Sequence, residues 1–351
     1  MGYPQIRNWC FLKRHLRGHA VEVLVTNLPP DVGALLTRQH QVIARRQLIA
    51  AHVDDATIYR KVRSGQWRLL IPGVILTTAG SPGTEQRRVA AAVYAGEQAQ
   101  ITGLGALHWY GFRHAPATEM VHVLVPHATR RRSAGFVVVQ RALQLDPAAR
   151  DSGPYRVVSA ARAVVDACRL LTQLRDVRAI VAEAVQSRHT TPAAIDQEIR
   201  RAGRSRTGLA RRALSEVVEG VRSAPEAELR DITQQSKILP TVLWNPTLRT
   251  LTGERLPTPD GWIDDAGIAL EVDSAEHHAE GEGWTTTLDR HNALAEHDVQ
   301  VLHITPAEIR TLPRKVLARI EQTYRSRLAT GARARVVASV SKGTLLDARR
   351  Q

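Results

Sequence analysis

The chain has 351 residues, a formal net charge of +14, 43% apolar residues and 23% charged residues. This length accommodates two or three domains with cores of their own, and no apolar stretch approaches the length that a membrane span requires. Two cysteines are too few for a disulfide framework or a thiolate zinc site. The composition predicts a soluble, cytoplasmic protein with no membrane partner. Its charge favours an anionic partner such as nucleic acid, unless it reflects only a genome rich in Arg and Ala codons.

Both ends of the chain lack the patterns that dock a segment onto a domain. Residues 1–27 show neither apolar periodicity nor a capping residue, so we expect a disordered arm or a misassigned start. Val21, Val23 and Val25 each offer an alternative initiation codon. Residues 329–351 are expected to form a basic tail.

Three short helices and two short strands are predicted between residues 28 and 80. Asp31 is placed as the cap of the first helix, residues 44–51 form the second, and a third with an acidic cap ends at Gly65. The strands turn at Pro72-Gly73. This order of elements is that of a winged helix-turn-helix domain.

The third helix carries the predicted DNA-binding face. Ile58 and Val62 lie four residues apart and face the core, which directs the polar and basic side chains outward. Such a face suits phosphates and base edges in the major groove, although a solvated face on a protein-interaction module is the alternative. The residues predicted to contact DNA are Thr57, Arg60, Lys61, Arg63 and, on the wing, Arg68.

A mixed α/β middle domain is predicted over residues 81–221. Helices are expected over 85–95 and 97–110, followed by two strands joined by a basic turn at 130–132. Four helices then occupy most of the stretch from residue 159 to residue 221.

The predicted C-terminal domain, residues 222–328, opens with Ser223 and Glu226 in capping-box form. If residues 264–267 form a hairpin turn, Ile263 pairs with Ile268, and Asp260 falls opposite Glu271. Like charges so placed repel unless a shared proton or a cation relieves them, and Mg²⁺ or Mn²⁺ fits that need. Asp273 lies two residues beyond Glu271 and shares its face. His277 and His278 are adjacent, so at most one of them joins the site.

Several spaced elements of the C-terminal stretch resemble a known family. The order Ser223-x-Pro-Glu226, Pro259-Asp260, Glu271-Val-Asp273 and His278, then Asp289-Arg-His, Val-Leu-His and Thr-Pro, is similar to actinobacterial proteins of unknown function. Their C-terminal domain is related to the very-short-patch-repair (Vsr-like) endonucleases, which have the PD-(D/E)xK restriction-endonuclease-like fold. Residues 45–74 resemble the winged-helix domain of AbiEi-family antitoxins. The fold class is therefore predicted as a multidomain α+β and α/β protein with a restriction-endonuclease-like C-terminal domain.

The resemblance implies roles for individual residues. Asp260 corresponds to the metal-binding aspartate, Glu271 to the second acidic ligand, and Glu226 to the helix glutamate near the metal. Asp273 and His278 match the Val-Asp and the following His, and complete the predicted catalytic set. Asp273 stands in the position of the lysine of the PD-(D/E)xK pattern, and the Vsr-like branch also lacks that lysine. Water activation would therefore depend on the metal or on His278.

Three functions fit these observations. The first is a DNA-binding transcriptional regulator or antitoxin-like protein, with double-stranded DNA and a cognate toxin as partners. The second is an active Mg²⁺-dependent DNA endonuclease. A glycosidase with paired carboxylates is the third, and the aromatic content of 4% disfavours it because sugar sites are usually lined with aromatic side chains.

Overall fold

The computed structural model describes residues 28–273, 290 and 292–339. Within these residues, helices alternate with four separate sheets, which makes the protein a mixed α and β structure as predicted. None of the helices in these ranges is long and apolar enough to cross a membrane. The predicted arm, His277, His278 and the last residues of the predicted tail lie outside the described residues.

The N-terminal unit contains three helices and a three-stranded antiparallel sheet in the order β1-β3-β2. Its elements are α1 (Pro30–Arg38), β1 (Val42–Ala44), α2 (Arg45–Ala50), α3 (Asp55–Arg63), β2 (Arg68–Ile71) and β3 (Val74–Leu76). The predicted helices and the two strands are confirmed, with Gly73 at φ +74° in the turn between the strands. Strand β1 was not predicted.

Two caps in this unit were predicted, with different outcomes. Asp54 accepts a hydrogen bond from the Thr57 N–H at 2.8 Å and caps α3 as expected. The predicted cap at Asp31 is wrong, because Pro30 already occupies the first helical position and places Asp31 inside the first turn.

Strands β1 and β3 of the small sheet are buried on both faces. On one face, Ile43 and Ile75 join the side chains of α1, α2 and α3 in one core. On the other face, Val42, Val74 and Leu76 belong to the core of the middle unit. Alternate side chains of a strand point to opposite faces, so β1 and β3 connect the two cores.

The middle unit is built around a five-stranded sheet in the order β6-β5-β4-β8-β7. Its elements are α4 (Thr84–Ala95), β4 (Gln100–Thr102), α5 (Gly103–Trp109), β5 (Val121–Pro126), β6 (Val137–Ala142), β7 (Arg150–Asp151), β8 (Arg156–Val157), α6 (Ala160–Cys168), α7 (Leu174–Gln186), α8 (Pro192–Ala202) and α9 (Gly208–Val218). The four helices α6 to α9 are confirmed. The basic segment 130–132 connects β5 to β6, which run parallel.

The single helix predicted over residues 97–110 is wrong. Gln100 to Thr102 form the central strand β4, and α5 begins directly afterwards at Gly103. Gly103 has φ +60°, a conformation that costs glycine little, so the chain passes from strand to helix without a linker.

The C-terminal unit has a four-stranded sheet in the order β13-β12-β11-β9, in which β12 and β13 run parallel. Its elements are α10 (Ala224–Thr233), β9 (Leu243–Trp244), β10 (Thr247–Thr250), β11 (Gly261–Ile263), β12 (Ile268–Val272), β13 (Gln300–Ile304), α11 (Pro306–Thr311), α12 (Pro313–Thr330) and β14 (Val336–Ser339). Val316, Ile320 and Tyr324 follow one another at intervals of four residues on α12, and this face of the helix is buried.

Strand β14 corrects the prediction that residues 329–351 form only a tail. It pairs antiparallel with β10, with Leu248 opposite Ala338. Val336 and Ala338 pack against the cluster that contains the fully buried Trp262. This packing gives residues 336–339 a place in the C-terminal unit.

An ion-pair network connects the middle and C-terminal units. The buried Arg178 of α7 donates to both carboxylate oxygens of Glu216 on α9, at 2.8 and 2.6 Å. It also donates to Asp231 of α10 at 2.5 Å. Arg212 bonds the same two acids, so two guanidinium groups and two carboxylates balance one another where α7, α9 and α10 meet.

Candidate functional site

The hairpin predicted around the acidic residues is present. Ile263 pairs with Ile268, and Gly261 pairs with Leu270, in the expected register. The turn acids have structural partners: Trp262 donates to Asp264 at 2.8 Å, and the hydroxyl of Tyr324 donates to Asp265 at 2.7 Å. Both turn acids therefore serve structural contacts within the C-terminal unit.

Asp260 and Glu271 lie at the end of this ladder. The last recorded pair is Gly261 with Leu270, so Asp260 and Glu271 are the next residues along the two strands. One carboxylate oxygen of Asp260 accepts the Val272 N–H at 2.7 Å, which fixes the side chain across the end of β12. The Glu271 side chain is only 14% exposed.

Burial and crowding disfavour ionisation of this pair. Burial raises the pKa of Asp260, against the opposing effect of the Val272 N–H. For Glu271, burial and then the charge of Asp260 raise the pKa to about 8. Arg290 lies 3.6 Å from the Glu271 carboxylate and lowers its pKa, but the raising effects are larger.

Glu226 reaches this pair from α10. Its backbone N–H donates to Ser223 at 3.2 Å, as a capped helix start requires. Its carboxylate accepts the Arg222 N–H at 2.9 Å and the Asn245 side-chain amide at 2.7 Å, so the predicted capping box is only half formed. Burial, followed by the charge of Asp260, raises the pKa of Glu226 to about 7. Three carboxyl groups therefore share one poorly neutralised environment.

Asp273 has a different partner. Its carboxylate lies 2.8 Å from Nδ1 of His303, which stands beside Glu271 in the parallel register of β12 and β13. The pair places an imidazole next to the acidic cluster. His278, the other residue assigned to the predicted catalytic set, lies outside the described residues.

The donor chemistry suits a hard cation, while the arrangement is incomplete. Carboxylate oxygens are the ligands that Mg²⁺ and Mn²⁺ prefer. Within residues 28–273, 290 and 292–339, however, no three His, Cys, Asp or Glu side chains are gathered as a metal site. Asp260 and Glu226 each commit an oxygen to backbone or amide N–H groups.

The residues predicted to bind DNA differ in their exposure and in their contacts. Arg60 and Arg63 of α3 are exposed, and Arg60 is held by the Thr57 hydroxyl at 3.1 Å. Thr57 and Lys61 are half-buried, and the Lys61 ammonium lies 5.3 Å from the centre of the Trp67 ring. Arg68 belongs to β2 and donates to the carbonyl of Gly80 at 3.0 Å, which ties it to the segment after the sheet.

Three contacts around the cluster were not assigned from the sequence. Asn245 approaches from the bend after β9, and no local pattern marks it as part of the site. His303 approaches from β13, and the sequence shows it only as the last residue of the Val-Leu-His element. Arg290 did carry a signal, since it is the single basic residue within an acidic stretch from Asp260 to Asp298.

Neither a protein-family model nor a curated protein matches the chain. Among solved structures, the chain is similar to one titled as the crystal structure of RV2827C protein from Mycobacterium tuberculosis. The identity is 15%, the TM-score is 0.36, and the match covers 52% of this chain and 75% of that chain. A likeness at this level carries no argument about fold or function.

Proposed function

We propose that the protein binds double-stranded DNA in the cytoplasm, as a transcriptional regulator or an antitoxin-like protein, through a winged helix-turn-helix formed by residues 28–80. The observation that carries this proposal is the exposed face of α3. Arg60 and Arg63 extend from a helix whose opposite side is anchored by the buried Ile58. A recognition helix needs this combination of a fixed inner face and a free basic outer face.

The order of elements and the charge of the chain support the same function. The N-terminal unit has a helix, a strand, two helices and two strands in chain order. Winged helix-turn-helix domains have the same order, and α3 lies in the position of their recognition helix. The net charge of +14 lets other parts of the surface contact phosphates without reading sequence. The antitoxin form of the proposal further requires a cognate toxin.

Fluorescence anisotropy with short labelled duplexes at several salt concentrations tests the proposal. We expect the full chain to bind duplex DNA with a binding constant whose logarithm falls linearly with the logarithm of the salt concentration. If the protein does not bind any duplex at low salt, the proposal is wrong.

A second function, metal-dependent DNA cleavage, is favoured by a separate observation. The charge of Asp260, next to β11, raises the pKa of Glu226 on α10 and of Glu271 on β12, and all three carboxyl groups lie in a buried environment that neutral carboxyls tolerate better than ionised ones. A bound divalent cation stabilises the ionised forms by charge compensation. We propose a restriction-endonuclease-like C-terminal domain in which Asp260 and Glu271 are ligands of Mg²⁺ or Mn²⁺, with Glu226 beside them.

When bound, such a cation supplies Lewis-acid polarisation of the phosphate and lowers the pKa of a bound water. The protein lacks the lysine of the PD-(D/E)xK pattern, since Asp273 occupies that position. Asp273 instead lies 2.8 Å from Nδ1 of His303.

A cleavage assay separates the enzyme from the regulator. Supercoiled, linear and mismatched DNA are incubated with the protein and Mg²⁺ or Mn²⁺, beside Asp260→Asn and, as a control in the same hairpin, Asp264→Asn. The endonuclease function is supported if the wild type and Asp264→Asn cleave DNA and Asp260→Asn does not. If every substrate stays intact with both metals, the endonuclease function is wrong and only DNA binding remains proposed.

A further inference from the structure

The middle unit contains a cleft that neither proposed function uses. Its volume is about 580 Å³, and it lies between the ends of β5 and β6 on one side and α6 and α8 on the other. It includes no residue of α3 and none of the carboxylate cluster. Five arginines line it: Arg141, Arg162, Arg169, Arg201 and Arg206.

The carboxylate that lines the cleft is fully engaged by the protein. One oxygen of the buried Asp166 accepts the Thr102 hydroxyl at 2.7 Å and Nε of Arg162 at 2.9 Å. Its other oxygen lies 3.7 Å from a terminal nitrogen of Arg169. The negative charge of Asp166 therefore holds two arginines in place.

A second buried acid, Glu198 of α8, acts in the same way. Arg201 donates to one of its oxygens at 2.7 Å, and Arg162 lies 3.6 Å from the other. Two carboxylates thus organise three guanidinium groups and cannot neutralise them all. Positive charge remains in excess around the cleft.

Three arginines retain donors for which the described part of the chain supplies no partner. Nε of Arg169 is buried and has no hydrogen-bond partner within the described ranges. Arg141 and Arg206 are exposed, and neither forms an ion pair with any residue that the structure describes. Arg141 and Arg206 therefore keep their guanidinium groups available to an anion, and 33% of the Arg169 side chain is exposed beside them.

We propose that this cleft binds a small phosphate-bearing molecule of the nucleotide class. Arg141, Arg169 and Arg206 would engage the phosphate oxygens, since guanidinium groups recognise them with paired N–H bonds. Leu124 and Leu170 give the cleft an apolar wall suited to a base or a sugar. Its volume lies within the range of about 300–1,000 Å³ that is typical of small-molecule sites.

Isothermal titration calorimetry of the full chain with ADP, pyrophosphate and a short DNA duplex tests this site. We expect ADP to bind more tightly than pyrophosphate, because pyrophosphate lacks the portion that contacts the apolar wall. Replacing Arg141 and Arg206 together with Ser is expected to weaken ADP binding by at least about tenfold, since each lost contact is a charge-assisted hydrogen bond.

The matched control is Arg188→Ser. Arg188 is exposed and has φ +56°, close to the φ of +57° at Arg206, but it does not line the cleft. Its replacement should leave ADP binding unchanged. Failure of ADP to bind, binding that the double variant retains, or equal affinity for pyrophosphate and ADP would each overturn the assignment. The assignment would also be overturned if the duplex displaced bound ADP from the wild type and the double variant lost binding of the duplex but kept binding of ADP.

Discussion

Glu271 shows how one buried side chain makes stability depend on pH. Burial and the charge of Asp260 raise its pKa to about 8, above the ordinary value of 4.5. A carboxyl group with a higher pKa in the folded chain holds its proton more tightly when folded. Its contribution to stability is therefore fully present below the unfolded pKa and is lost as pH rises through about 8.

Replacing Glu271 with Gln removes this ionisation. Between pH 5 and pH 9 we expect the variant to gain stability relative to the wild type, on the order of 2 kcal/mol after allowance for partial exposure. Urea denaturation at the two pH values measures the difference. Glu254→Gln, at an exposed position of the same unit, is the control and should show no such gain. A stability difference for Glu271→Gln that does not change with pH would contradict the account.

The proposed cation makes a separate prediction for Asp260. A ligand that binds only the folded state stabilises that state by about 1.4 kcal/mol when its free concentration is ten times its Kd. At pH 8 we expect MgCl2 to raise the Tm of the wild type and not that of Asp260→Asn, with CaCl2 as the comparison salt at equal ionic strength. The same rise in both proteins would show that Asp260 does not hold the ion.

At the scale of elements, the hairpin depends on Gly267. Its φ is +61°, and a Cβ at this position would lie 2.6 Å from the Cβ of Ala334 and 2.9 Å from the Ala334 N. The turn and the segment before β14 therefore approach each other closely enough that only glycine fits.

We expect Gly267→Ala to lower the free energy of unfolding by about 2–4 kcal/mol, from left-handed strain together with steric overlap. Gly331→Ala is the matched control, because Gly331 has φ +68° but open space around it. That variant should lose about 1 kcal/mol, from the backbone conformation alone. Equal losses at the two positions in chemical denaturation would show that the contact with Ala334 contributes nothing.

Local patterns predicted some elements to the residue and missed others. Helix α8 begins at Pro192 after the cap Thr191 and ends before Gly203, so its limits are present in the sequence. Strand β14 has no such limits, because it exists through pairing with β10, about ninety residues earlier in the chain. Strand β4 was missed because its three residues, Gln100 to Thr102, are too few to show a periodicity that separates strand from helix.

The candidate site could be predicted only in part for the same reason. Asp260 and Glu271 were placed together because a hairpin relates them by a fixed register. The partner of Asp273 could not be predicted, because His303 arrives on a parallel strand whose register no turn defines. The Asn245 amide on Glu226 depends equally on the tertiary fold.

At the scale of the whole molecule, Arg178 connects two units. Replacing it with Leu leaves the buried Glu216 with only the partly exposed Arg212, and we expect a loss of about 3 kcal/mol. On the same helix, Arg175 is half-exposed and lies 3.6 Å from Glu228, so Arg175→Leu should cost less than about 1 kcal/mol. Thermal unfolding of the two variants compares them. Losses of similar size would contradict a central role for the buried network.

Exposure separates the basic residues that are predicted to contact DNA. Arg60 and Arg63 of α3 are exposed, whereas Lys61 is half-buried against Trp67 and Arg68 donates to the carbonyl of Gly80. Arg60 and Arg63 are therefore the pair to replace in a test of DNA binding by this helix.

Salt-dependent DNA binding by α3 variants tests the central claim most directly. The variant Arg60→Ala/Arg63→Ala is compared with Arg188→Ala/Lys237→Ala, which removes the same charge from exposed positions outside the N-terminal unit. We predict that the first pair weakens binding and reduces the slope of log K against log salt by about 2, and that the control changes little. Equal behaviour of the two double variants would contradict DNA recognition by α3.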